Sequence, residues 1–149
     1  MSKTNEHENE YLAHILQNAA IANIGDAPGL PAAATAGSLE ISLHTADPGE
    51  AGDQSTSEAA YTSYARQTIV RAGGANDWDV ALGVGSNKAA ITFPVATAGS
   101  ETETHFGVGT GFSDKLLYSG LLTSPPGGLP VSVGIQPEFV IGALTLTED

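Results

Sequence analysis

From residue 39 onward, apolar side chains recur at every second position, in short runs closed by glycine or proline. A period of two sends successive side chains to opposite faces of a strand. Leu39, Ile41 and Leu43 alternate with Glu40, Ser42 and His44, which predicts a strand with one wet face. The stretch from Tyr64 to Arg71 alternates in the same way. Short strands are predicted around Trp78 and Val80, and from Ala89 to Phe93, closed by Pro94. Thr102 to Val108 reads as one strand, ended by the glycine-rich run Gly107–Gly111. Lys115 to Leu122 is apolar on both faces, which predicts a central strand. Leu129, Val131 and Val133 suit an edge because of Pro130. Phe139 to Thr147 closes the set. About eight short strands with regular turn signals predict a mainly β domain. The expected architecture is a β-sandwich, jelly-roll-like, with an N-terminal helical arm.

The arm is the one segment with a helical period. Tyr11, Leu12, Ile15, Leu16, Ala19 and Ile24 form an apolar stripe, predicting a helix over about 6–23. Asn5 and Glu8 have capping-box spacing, and Gly25 suits a stop. Residues 25–38 hold two prolines and three glycines. They predict a linker that sets the helix apart from the body. The expected division is therefore an arm at 1–24, a linker at 25–38 and a β-sandwich at 39–149. The stripe either packs on its own domain, as amphipathic helices usually do, or docks on a neighbouring subunit; on the second reading Tyr11, Leu12, Ile15, Leu16 and Ala19 are the candidate partner-binding residues.

Charge narrows the function. The chain carries 17 acidic and 5 basic residues, a formal charge of −12. Affinity for nucleic acid comes from Lys and Arg neutralising phosphates, so nucleic acid is excluded as a partner, and an anionic membrane surface with it. No apolar run is long enough for a membrane-spanning helix. The polar, acidic start, Met1 to Glu8, is unlike a secretory signal. The absence of cysteine excludes disulfides, thiolate metal sites and cysteine nucleophiles, and fits a reducing cytoplasm.

The residues that could carry chemistry are scattered. His7, His14, His44 and His105 lack the spacing of a helical zinc site, and His44 and His105 are expected on wet strand faces. The loop Asp47–Asp53 is acidic but lacks the alternate carboxylates and terminal glutamate of an EF-hand. Asp77 and Asp79 flank Trp78, a pattern more typical of a core tryptophan between exposed acids than of a glycosidase pair. Gly107–Gly111 lacks the lysine of a P-loop and reads as a flexible turn. No serine elbow is present. Arg66 and Arg71 are expected to pair with acids. With no clustered nucleophile, base or metal ligand set, the chain is expected to be no enzyme and to hold no cofactor or metal.

Longer stretches carry a resemblance. They are Tyr11–Ala20 with Ile24-Gly25-Asp26, Leu43–Glu50 leading to Tyr61–Arg66, Ala90–Pro94, His105–Gly109 and Leu117–Gly120. Together they resemble a family of small tailed-phage and prophage proteins labelled tail-fibre-like or minor structural proteins. The resemblance covers about Tyr11 to Glu148. It implies a structural role in the virion, as a capsid decoration or cement protein or a tail-fibre-like attachment. The implied partners are the major capsid protein or tail proteins, and further copies of the chain in a homo-oligomer. A second reading is a receptor- or glycan-binding module at a tail tip, with Trp78, Tyr61 and Tyr64 as stacking faces.

Overall fold

The computed structural model of the protein describes residues 2–148. Helix α1 spans Asn5–Gln17. Eleven strands follow among the described residues: β1 Ser38–His44, β2 Gln67–Val70, β3 Trp78–Ala81, β4 Val84–Asn87, β5 Ile91–Thr92, β6 Ser100–Glu103, β7 His105–Thr110, β8 Leu116–Leu121, β9 Leu129–Ser132, β10 Glu138–Phe139 and β11 Thr145–Thr147. They pair as one four-stranded sheet, β2-β1-β7-β8, one three-stranded sheet, β11-β4-β3, and the two-stranded pairs β10-β5 and β6-β9.

The chain is mainly β, as the alternation predicts, but four small sheets differ from the two-sheet arrangement of a jelly roll. The strands exceed the expected eight because predicted runs are cut in two. Thr104 splits the run from Thr102 to Val108: Glu103 pairs with Leu129 of β9, whereas His105 pairs with His44 of β1. A hairpin around Leu82-Gly83 supplies β4, which the alternation does not reveal. Both turn residues have positive φ, 54° and 73°, the geometry whose twist suits a two-residue hairpin. Leucine is not a turn signal, and the lone Gly83 is a weak mark for this hairpin.

The described chain groups into two compact units. One holds the residues up to Ser38, Ile69–Ala90 and the residues from Phe139 on; the other holds Leu39–Thr68 and Ile91–Glu138. This grouping differs from an arm, a linker and a body. The reason is strand pairing: β4 binds β11 on one side and β3 on the other, and α1 packs on β3 and β4.

In the first unit, α1 begins at Thr4, whose Oγ1 accepts the His7 amide at 3.4 Å, rather than at Asn5. It stops well before Gly25, because Asn18 takes the left-handed conformation at φ 56° and closes the last turn. Leu12 and Leu16 are fully buried, each worth about 1.5–3 kcal/mol relative to exposure. Gln17 Nε2 donates to the Trp78 carbonyl at 2.8 Å, and Asn9 Oδ1 accepts the Gly83 amide at 2.8 Å. The predicted linker is folded back on itself. Ile21 and Leu30 exchange amide–carbonyl bonds of 2.9 and 2.8 Å, and the Asn18 side chain bonds Ala33 in both directions. The helix is therefore not a loose arm.

In the second unit, β1 is buried on both faces from Ile41 to His44, so its predicted wet face does not exist. The glycine-rich run is likewise no terminal turn. Gly107 and Gly109 lie inside β7 because larger residues would not fit there. A β-carbon on Gly107 would lie 2.5 Å from Ser42 Oγ and 2.6 Å from His44 Nε2; one on Gly109 would lie 2.1 Å from Gln54 Cδ.

Candidate functional site

The polar atoms that alternation places on a wet face form a sealed seam instead. Ser42 and His44 lie two apart on β1, hence on one face. Ser42 Oγ and His44 Nε2 are 2.8 Å apart, and His44 Nδ1 is 2.9 Å from the Thr56 carbonyl. A hydroxyl on an imidazole that a third group orients is the arrangement of an activated nucleophile. Here Ser42 and His44 are both fully buried, and Gly107 is pressed against them. No acyl group can approach the hydroxyl, so the seam holds the fold. Burial also holds the His44 imidazole below its usual range, favouring the neutral ring. Gln54 closes the seam, giving Nε2–H to the Thr110 carbonyl at 3.1 Å.

Arg66 meets acids within its own unit. Its Nε and one terminal nitrogen grip the two oxygens of Glu58 at 2.6 and 2.7 Å, while the other reaches Asp114 at 3.0 Å and Glu40 at 3.3 Å. The paired Glu58 carboxylate, then Asp114 and Glu40, hold the guanidinium charged. Arg71 does not pair with an acid. It donates to the carbonyls of His14 at 2.7 Å, Ala36 at 3.2 Å and Ile15, and so caps the C-terminal end of α1 with a cation.

Of the three aromatic residues proposed as stacking faces, Trp78 and Tyr61 are core and Tyr64 is half-buried. Trp78 is fully buried and Tyr61 nearly so. Tyr61 packs edge-on to Tyr64 with ring centroids 5.4 Å apart, and Tyr64 stacks on Phe93 at 6.2 Å. The Tyr61 hydroxyl donates to the Pro94 carbonyl, and burial pushes it up to about 12. A glycan cannot stack on Trp78 or Tyr61 because other protein atoms already cover them. Asp77 is also buried, accepting the amides of Ala72 and Gly74 as a turn clamp.

One acid has no such partner. Glu103 is fully buried, and neither carboxyl oxygen meets a hydrogen-bond donor. Burial, helped by the neighbouring Glu101 carboxyl, pushes Glu103 up to about 8. Glu101 itself is engaged, its Oε1 accepting the amides of Ala60 and Tyr61 at 2.8 and 2.7 Å.

Of the five candidate partner residues, Leu12 and Leu16 are consumed by packing within the first unit. Ile15 and Ala19 are half-buried, and Tyr11 is exposed, with Lys3 Nζ 5.8 Å from its ring centroid. The stripe faces its own unit because β3 and β4 lie beneath it. Asp53 of the acidic loop is spent on its own turn: Oδ1 accepts from the Ser55 amide and hydroxyl and from the Thr56 hydroxyl. Among the described residues, no three His, Asp or Glu side chains gather as a metal site. No helix among them is long and apolar enough to cross a membrane.

The expected central strand lies elsewhere. β8 is the last strand of its sheet, paired with β7 alone. Beside it, a groove of about 390 Å³ opens between β8 and the acidic turn, lined by Asp47, Glu50, Leu116, Tyr118 and Ser119 among others. Asp47, Glu50 and Ser119 are exposed, and Leu121 at the end of the strand is 61% exposed. Sequence reasoning missed this surface because apolar side chains on both faces suggested a strand between two neighbours.

These features, a sealed polar seam and an open strand edge on a β scaffold, suit a protein that assembles. No curated protein sequence matches the chain. A family model described as Podophage GP4 fiber I protein gp80 matches residues 2–147. The chain belongs to this family of phage virion fibre proteins.

Proposed function

We propose that the protein acts purely by non-covalent assembly, as a tail-fibre-like attachment protein present in several copies on the virion. The observation that carries this reading is the fibre-family match along residues 2–147. The structure adds support: the nucleophile-like pair Ser42–His44 is sealed, while the exposed apolar side chains Phe112, Leu121, Val133, Val140 and Ile141 are available for contact. The partners on this reading are tail proteins and further copies of the chain. A cysteine-free acidic chain suits assembly in the host cytoplasm. A position on the head, as a capsid decoration or cement protein contacting the major capsid protein, is the second form of the same mechanism.

Gold-labelled antibody against the protein, applied to purified phage, tests the proposal. Label at the tail is expected. Label distributed over the head would replace attachment by decoration. Purified particles that carry no label anywhere would overturn both.

A further inference from the structure

Natural sheets guard their edges with lysine, proline or a strong bulge, because an unpaired row of amides and carbonyls recruits another chain. β9 carries such a guard in Pro130. β8, Leu-Leu-Tyr-Ser-Gly-Leu, contains no charge and no proline over six residues. The register shift opposite it lies near Leu116 and leaves the pairing from Tyr118 to Leu121 regular. Lys115 precedes the strand and does not line the groove.

The edge is also oriented. The Leu122 amide bonds the Thr104 carbonyl at 2.8 Å, so residues at even positions back to Tyr118 face β7. Antiparallel alternation then turns the amides and carbonyls of Ser119 and Leu121 away from the sheet. Asp47 and Glu50 stand exposed across the groove from that edge. A second copy would bring few cations to match them. Of five basic residues, Arg66 is gripped by three carboxylates, Arg71 by carbonyls, Lys3 by Glu148, and Lys88 donates to the Gly74 carbonyl, which leaves the exposed Lys115 as a single cation against two carboxylates.

We infer that β8 is a docking edge for an extended, Lys- or Arg-bearing segment of another virion protein, which adds a strand beside Ser119 and Leu121 and sets its cations against Asp47 and Glu50. Main-chain bonds supply the affinity, and the carboxylates select the partner's charge. Leu116 and Tyr118 give the incoming strand an apolar floor. The identity of the partner as a virion protein rests on the assembly role proposed above; the edge and its charge preference do not.

The test uses the full chain and a short fluorescent peptide alternating valine and arginine, followed by anisotropy. Saturable binding is expected that weakens with salt. Ser119→Pro removes one edge amide without changing charge, and should weaken binding about tenfold or more. The same peptide with alternate amides methylated should fail against the unaltered protein, which covers the case in which Ser119→Pro does not fold. The double variant Asp47→Asn, Glu50→Gln should lose most of the salt dependence. Binding that survives both the proline and the methylated peptide would overturn the edge. Equal binding of a valine–glutamate peptide would overturn the charge preference. Sedimentation showing a dimer that Ser119→Pro converts to monomer would overturn the choice of partner in favour of a second copy. Virions that carry no copy of the protein, while the peptide still binds, would sink the virion role and leave the edge standing.

Discussion

The side chain of Leu16 occupies the space that a β-carbon on Gly85 would need: such a carbon would lie 2.3 Å from Leu16 Cδ1. Leu16 is fully buried and Gly85 lies in β4, so the contact pins the helix to the strand. Gly85→Ala should therefore destabilise the protein by about 1–3 kcal/mol through overpacking. Leu16→Ala should cost about 2–5 kcal/mol by leaving a cavity. Because each change relieves the other, the double variant should cost less than the sum, measured by urea unfolding. Strict additivity would mean that the two residues do not touch.

Arg71 replaces the missing C-terminal partners of α1, donating to the His14 and Ile15 carbonyls. Arg71→Ala should cost about 1.5–3 kcal/mol, the range for hydrogen bonds to a charged group. Arg71→Lys should recover only part, since an ammonium cannot span the same carbonyls with a planar fork. Amide exchange should quicken at residues 14–18 first. Unchanged protection there would refute the capping role.

Arg66 pairs with Glu58, Glu40 and Asp114 together. The partners are part-exposed, so the loss on Arg66→Ala should stay near 1–3 kcal/mol rather than reach the cost of a fully buried pair. Lysine should rescue poorly because Glu58 takes a two-pronged grip. High salt should narrow the gap between wild type and variant. A gap that does not respond to salt would point to packing as the main effect.

Glu103 makes stability depend on pH in an unusual direction. The folded protein keeps the Glu103 proton up to about pH 8, whereas an unfolded glutamate releases it near 4.5. Between those values the native state binds more protons, so this residue's contribution falls as pH rises, and levels off above 8. Glu103→Gln removes that slope. The stability of the variant relative to wild type should rise by on the order of a few kcal/mol from pH 5 to pH 9, read from denaturant midpoints. A difference that stays constant across this range would show that the buried carboxyl does not titrate as described.

The mainly β character, the positions of most strands, the N-terminal helix and the likeness to phage structural proteins were legible in the sequence. Alternation and helical spacing are local properties, and the chain keeps them wherever it packs. The acidic charge and the scattered histidines were equally plain, and they bounded the partners and the chemistry.

Partnership between distant segments was not legible. Lys115–Leu122 carries the same alternation whether a strand lies on one side or both, so only the sheet order makes β8 an edge. Ser42 and His44 read as wet until the segment holding Gln54 and Thr56 folds over them. The stripe of α1 fits a neighbouring subunit or its own strands equally well, until β3 and β4 arrive beneath Leu12 and Leu16. Sequence fixes which face of an element is apolar; what covers that face is a long-range contact, and only the tertiary structure decides it.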